Sequence, residues 1–112
     1  MKKLSGDEFI KPKSGNQFIV VRVKIQNKGD SEVSYNPFDF HAKNSSGNIT
    51  DLEIPPSTYK DNKELDSGQL AKGGSVEGDI VFQVPVDDHG AQLTWQPSIF
   101  GNNSDFVWGL GL

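Results

Sequence analysis

The sequence predicts an all-β domain, built as an antiparallel sandwich of seven or eight short strands. Residues 16–27 and 75–84 alternate apolar and polar side chains with the period of two that a half-buried strand requires. The 12 glycines and 6 prolines lie mostly between periodic segments, and no segment has the apolar spacing of a helix of about ten residues. A sandwich is favoured over a closed sheet because the long polar stretch after Pro56 suits a crossover between two sheets.

A chain of 112 residues is the size of one domain, which we expect to span residues 1–112. Residues 1–7 are mostly polar, and we expect them to be disordered or to derive from an expression start. A short edge strand is predicted at residues 8–10, where Phe9 and Ile10 are adjacent.

The first long segment, residues 16–27, is predicted to be the central strand. One of its faces carries four apolar residues, namely Ile19, Val21, Val23 and Ile25. Phe18 and Val20 add apolar weight to the other face, so we expect both faces to be partly covered.

Residues 27–43 are predicted to form a turn and two further strand pieces. The turn at residues 27–30 leads to a return strand that Pro37 interrupts. The alternation then resumes with three residues that we expect in the core, Phe38, Phe40 and Ala42. His41 falls on the opposite face of this strand.

A weaker apolar pattern at residues 49–54 ends at Pro55 and Pro56. Residues 57–69 are polar and are predicted to form a long crossing loop, with one helical turn near residues 63–66. Loops of this length in small domains are commonly functional or mobile.

The second long strand, residues 75–84, is predicted to pack against the first. Its inward residues are Val76, Gly78, Ile80, Phe82 and Val84, and its outward residues are Ser75, Glu77, Asp79 and Gln83. Pro85 ends the ladder. Two short strands follow, one through Ala91, Leu93 and Trp95 and the other through Phe106, Trp108 and Leu110, separated by Pro97 and a loop at residues 101–104.

Charge and composition exclude several functions. The net charge of −4 is spread without a basic block, so we expect no nucleic-acid partner. The absence of cysteine removes disulfides, thiolate metal sites and cysteine nucleophiles. No apolar run approaches the roughly 20 residues that span a bilayer, so we expect no direct membrane insertion of this domain.

Three segments carry a family resemblance, namely PKSGNQFIVVRVKIQNKGDSEVSYNPFDFHAKNSSGN, LAKGGSVEGDIVFQVPVDD and AQLTW. Together they are similar to an uncharacterised immunoglobulin-like domain family of Gram-positive bacterial lipoproteins and surface proteins. That family is related in fold to the mycobacterial secreted immunoprotective antigens. The order of Gly15, Phe18, Asn27, Phe40, Gly47, Leu70, Gly73, Gly78, Phe82, Pro85 and Leu93 carries the match.

The resemblance implies an immunoglobulin-like sandwich in an extracytoplasmic location, secreted or anchored through a segment outside this chain. It implies no catalytic residues. Members usually carry a lipobox cysteine ahead of the domain and often a longer strand before the region of Phe9. Without that strand one sheet edge would be open, and from this we expect a dimer through an edge strand.

No residue pattern supports an enzyme or a cofactor. Residues 73–77 lack the final glycine of a nucleophile elbow around Ser75, and no helix is predicted to follow them. His41 and His89 have no metal-ligand spacing and are interpreted as exposed polar side chains. We therefore expect no catalytic, cofactor or metal residues.

The candidate contact residues for a ligand or partner lie in polar loops. They are Tyr59, Asp61, Asp66, Asp87 and Asp88. Carboxylates in loops can bind calcium, but the calcium-loop order is absent here and turn capping explains these aspartates without a metal. Tyr59 is the aromatic residue best placed for the surface, because Trp95 and Trp108 are in phase with core positions.

We expect a non-enzymatic interaction module at the bacterial cell surface. It would hold a protein or peptide of the cell envelope by strand addition at a sheet edge or by docking on the loop of residues 54–69. The alternative is a module for cell-wall glycan or for a calcium-dependent ligand.

Overall fold

Nine strands and one 3₁₀ turn form the fold in a computed structural model that describes residues 2–95 and 106–109. The strands are β1 (Lys2–Leu4), β2 (Asn16–Gln26), β3 (Val33–Tyr35), β4 (Phe40–Lys43), β5 (Ile49–Thr50), β6 (Gly68–Leu70), β7 (Ser75–Pro85), β8 (Gln92–Trp95) and β9 (Phe106–Gly109). The 3₁₀ turn spans Pro37–Asp39.

The strands form three antiparallel sheets, in the orders β1-β2-β7, β3-β6 and β5-β4-β8-β9. The main core lies between the first and third sheets, since it joins Ile19 and Phe82 to Phe40 and Leu93. The predicted all-β antiparallel sandwich is confirmed.

Strand β2 is central, as predicted, because it pairs with β1 on one side and along its full length with β7 on the other. Its first apolar face joins the main core. On its second face Phe18, Val20 and Val81 form a smaller buried cluster that Leu4, Ile10 and Tyr59 cover. We call these residues the second cluster. Both faces of the sheet are thus covered, which explains why β2 carries apolar residues at consecutive positions 18–21.

The beginning of the chain differs from the prediction. Lys2–Leu4 forms strand β1 in a segment for which no strand is predicted, and it covers part of the β2 edge. The edge strand predicted at residues 8–10 is wrong. That segment is a turn in which the Asp7 carboxylate accepts the backbone N–H groups of Phe9 and Ile10. Dimerisation through an edge strand stays a prediction.

Phe38 is the clearest correction to the predicted core. Phe40 and Ala42 are buried as expected, but the side chain of Phe38 is 71% exposed. Asn36 caps the 3₁₀ turn by accepting the N–H of Phe38, and Pro37 takes its first position. The turn breaks the period of two, so Phe38 points away from the face that Phe40 occupies.

The segment after β4 also departs from the prediction. Strand β5 covers only Ile49–Thr50, and both Ile49 and Ile54 are exposed. The predicted helical turn at residues 63–66 is wrong, because Glu64 forms a parallel bridge with Asp79 of β7.

Two residues predicted to face outward on β7, Asp79 and Gln83, are buried. The polar loop covers the outer face of β7, where both side chains form hydrogen bonds. The Asp79 carboxylate accepts from Arg22 and Tyr59, and the Gln83 amide donates to Glu53, so neither buried polar group lacks a partner. The predicted stop at Pro97, the loop at residues 101–104, and Leu110 lie outside the described residues.

In the part of the chain that the structure describes, no helix is long and apolar enough to span a membrane.

Candidate functional site

A groove opens at one end of the two-stranded β3-β6 sheet. The last residue pair of this sheet is Tyr35 with Gly68. Beyond it, one wall continues from β3 through residues 36–38, another leads into β6 through residues 64–67, and residues 52–55 form a third side. We call this space the groove.

Pro37 explains why the two chains separate here. A proline has no N–H to donate and therefore cannot continue a strand ladder. Asn36 and Pro37 instead start the 3₁₀ turn, with Asn36 as the cap and proline at the first position. The sequence Asn-Pro thus ends the β3-β6 pairing and opens the groove.

Apolar side chains line the groove, and two of them are unusually exposed. Phe38 is 71% exposed and Ile54 is 75% exposed, whereas Leu65 below them is buried. The groove encloses about 430 Å³, and a smaller recess of about 40 Å³ reaches Ile80 and Val81 of β7. The larger volume falls within the roughly 300–1,000 Å³ range of binding pockets.

Among the described residues that line the groove, the charged side chains are all acidic, namely Glu53, Glu64 and Asp66. The side-chain amide of Gln83 donates to the Glu53 carboxylate at 2.9 Å. No ion pair within residues 2–95 neutralises Glu64 or Asp66. The groove therefore combines an apolar lining with negative charge, and it suits an apolar group that lies beside a cation.

Backbone hydrogen bonds to the β7 edge hold two of the groove walls. The N–H of Glu53 donates to Val81 O at 2.8 Å, and the N–H of Leu65 donates to Asp79 O at 2.9 Å. Gly78 allows this close approach, because a Cβ atom there would lie 2.8 Å from Leu65 Cα. The walls are consequently fixed to the longest strand pair of the fold.

Tyr59 fastens the loop between these two walls. Its hydroxyl donates to Asp79 Oδ2 at 2.9 Å and accepts the N–H of Lys63 at 2.8 Å, while its ring packs on the second cluster. Burial raises the pKa of the Tyr59 phenol, and the nearby carboxylate of Asp79 raises it further. Tyr59 is thus a half-buried anchor of the loop.

Arg22 completes this network from β2, where it stands directly opposite Asp79. Its guanidinium donates through Nε to Asp79 Oδ1 and through Nη2 to Oδ2 at 3.1 Å. The paired carboxylate raises the pKa of Arg22 above its usual value. A buried aspartate therefore receives a bidentate arginine and a tyrosine hydroxyl, which satisfies its charge.

The four aspartates proposed as contact residues do not share one site. Asp66 lines the groove, Asp61 is exposed in the loop, and Asp87 is exposed in the turn after β7. Asp88 is buried and accepts the N–H groups of Ser45 and Gly90, each at 2.8 Å. Among the described residues, no three His, Asp or Glu side chains are grouped in a way that would hold a metal ion.

Asp88 links two turns, and its charge should make stability depend on pH. The backbone hydrogen bonds from Ser45 and, to a smaller extent, from Gly90 hold the pKa of Asp88 below its usual value. A carboxylate whose pKa is lower in the folded state stabilises the fold above the unfolded-state pKa, and this contribution is lost as pH falls through the folded value.

We therefore expect Asp88→Asn to lower the denaturant midpoint at pH 7. The free energy of unfolding of this variant should also decrease less between pH 5 and pH 2 than that of the unmodified chain. Asp87→Asn is the matched control, because Asp87 is adjacent and exposed. Urea unfolding at several pH values measures both effects. Equal pH profiles for the two variants would contradict a special role for Asp88.

The remaining aromatic and histidine candidates occupy structural positions. Trp95 packs against the main core and stacks on Phe40 with ring centroids 5.6 Å apart. The side chain of Trp108 lies outside the described residues. Nδ1 of His41 lies 3.0 Å from Asp51 Oδ1, and His89 is exposed.

Sequence reasoning included Asp66, the start of the loop and Tyr59, but it missed most of the groove. Alternation predicts Phe38 in the core, and no sequence pattern distinguishes Glu53 or Glu64 from other exposed acids. The Asn36-Pro37 pair was the available signal, since a capping asparagine followed by proline is typical of the start of a helical turn. The approach of Glu64 to β7 has no local sequence signal.

Comparison with known families shows what the sequence of this chain is similar to. The family described as Domain of unknown function (DUF4352) matches residues 1–105. No curated protein sequence gives a significant match.

Two solved structures share the fold. The yjhA protein from Bacillus subtilis superposes with a TM-score of 0.67 and 19% identity, over 98% of this chain and 83% of that chain. The ycdA protein from Bacillus subtilis subsp. subtilis str. 168, described as a candidate lipoprotein, superposes with a TM-score of 0.74 and 18% identity. That match covers 96% of this chain and 34% of the ycdA chain.

Proposed function

The chain belongs to the DUF4352 family of domains of unknown function, and from this premise we propose that it is a non-enzymatic interaction module. It acts outside the cytoplasm and holds a protein or peptide of the cell envelope in the groove. We also propose that its fold is related to the immunoglobulin-like sandwiches. Its two facing antiparallel sheets support that relation.

The extracytoplasmic location is supported by the fold relative ycdA, which is described as a candidate lipoprotein. The match covers only 34% of the ycdA chain, so this chain resembles one part of a longer protein.

The observation that carries the proposal is the exposure of Phe38 and Ile54 on two different walls of the groove. Both are large apolar side chains, and the wall that carries Ile54 is fixed to β7 by the backbone hydrogen bond from Glu53 N–H to Val81 O. Exposed apolar surface rimmed by polar residues commonly marks an interaction site. Two fixed walls also lower the cost of ordering on binding, because those walls need not rearrange.

Site-specific photo-crosslinking in the envelope fraction of the source cells tests this function. A photoreactive residue at Ile54 should give a discrete crosslinked species. The same residue at Ile49, which is 65% exposed on β5 and outside the groove, is the matched control and should give none.

The crosslink from position 54 should disappear when Phe38 is replaced by serine, because that substitution removes apolar surface from the facing wall. Unchanged thermal unfolding of the variant establishes that the fold is intact. Equal crosslinking from positions 49 and 54, or none from either, would contradict the proposed function.

A further inference from the structure

We propose that the occupant of the groove is a peptide segment in which an apolar side chain is flanked by lysine or arginine. This inference rests on the proposed function and specifies the chemistry of its partner. It follows from the lining of the groove, which combines apolar side chains with carboxylates. The apolar side chains are Phe38, Ile54 and Leu65, and the carboxylates are Glu53, Glu64 and Asp66.

The charge of the lining selects among possible occupants. Like charges placed opposite each other are unfavourable, so phosphates, nucleic acids and acidic peptides are poor partners for three carboxylates. A neutral apolar ligand would leave the carboxylates without a counter-charge. A cation next to an apolar group satisfies both halves of the lining.

The carboxylates are available to such a cation. No lysine or arginine is among the residues that line the groove, and neither Glu64 nor Asp66 makes an ion pair within residues 2–95. Both side chains are exposed, which leaves them accessible from solvent. Lysine and arginine also reach across a rim, because their long stems lie along apolar surface while the charged group stays outside.

A metal ion is a weaker explanation for the same acids. The described residues contain no group of three or more potential metal ligands. The apolar walls would also contribute nothing to metal binding, whereas they match the body of a peptide side chain.

Two labelled peptides serve as probes. Both carry the apolar pair Leu-Phe, flanked by lysines in the first and by glutamates in the second, with blocked termini. By fluorescence anisotropy at low salt, we expect the lysine peptide to bind at least about tenfold more tightly, because it meets opposite charges in the groove. This preference should shrink as added salt screens the charges.

Charge-neutralising variants locate the effect. The double variant Glu64→Gln/Asp66→Asn should lose about tenfold in affinity for the lysine peptide at low salt, and its affinity should fall less than that of the unmodified chain when salt is added. Glu8→Gln/Glu32→Gln changes the net charge equally at exposed positions outside the groove and should retain the affinity. Phe38→Ser should weaken binding of the lysine peptide at every salt concentration.

Failure of this inference is distinct from failure of the proposed function. Equal affinity for the two peptides overturns the charge preference. Absence of peptide binding, together with a crosslink from Ile54, overturns the inference and leaves the interaction module standing. Self-association that depends on Phe38 and on the exposed Phe9 would identify a second copy of the chain as the occupant, and would overturn it too.

Discussion

Replacing Phe82 with alanine is expected to lower the free energy of unfolding by about 3–5 kcal/mol. Phe82 is completely buried, pairs with Ile19 of the central strand and belongs to the main core. The substitution removes its contacts and leaves a cavity in a region where both sheets are fixed. A loss of this size is a large part of the roughly 5–15 kcal/mol that stabilises a typical domain.

Urea unfolding followed by tryptophan fluorescence measures the change. Phe9→Ala is the matched control, since the same aromatic side chain is 89% exposed at position 9. We expect the control to change stability by no more than about 0.5 kcal/mol. Similar losses at the two positions would mean that Phe82 does not lie in the main core.

Replacing Asp79 with alanine is expected to cost about 2–3 kcal/mol, since charged hydrogen bonds to a buried group are lost. The Asp79 side chain is only 2% exposed, and it accepts from Arg22 and from the Tyr59 hydroxyl. The expected cost stays below that of an unpaired buried charge, because the remaining arginine is partly exposed and is hydrated after the substitution.

Glu77→Ala is the control for Asp79. Glu77 lies on the same face of β7 and contacts the same arginine at 3.4 Å, but it is 52% exposed. Its removal should change stability by about 0.5 kcal/mol or less. In a Tyr59→Phe background the cost of Asp79→Ala should become smaller, because one of the lost hydrogen bonds is already absent. Purely additive losses would contradict a shared network.

The two long strands could be predicted from sequence because alternation alone specifies them. Val21 and Ile80 are buried opposite each other, as their positions in the pattern require. An error of one residue in either strand would have turned each apolar side to solvent, so the pattern is a strong constraint.

The burial of Asp79 could not be predicted in the same way. By alternation it belongs to the outer face of β7, and it is buried only because the polar loop crosses that face and brings Tyr59 to it. The partner on β2, Arg22, was visible in the sequence, but the register that places it opposite Asp79 was not. Long-range register and loop placement have no local signal.

The groove was predictable only in part, for a related reason. Alternation placed Phe38 in the core, and one short turn at Asn36-Pro37 reverses that assignment. Residue type alone identifies the four aspartates as candidates and does not specify their positions in space. Only Asp66 reaches the groove, since the position of an acidic residue in space depends on strands that are distant in sequence.

The backbone of Asp79 joins residues 63 and 65 of the loop to β7. Its N–H donates to Lys63 O at 2.7 Å, and its carbonyl oxygen accepts from Leu65 N–H. The same residue holds Tyr59 over the second cluster through its side chain. Detachment of the loop would therefore widen the groove and uncover Phe18 and Val20 in a single local opening event. Amide hydrogen exchange across residues 59–65 should consequently occur as one cooperative unit, and a ligand that closes the groove would slow it throughout.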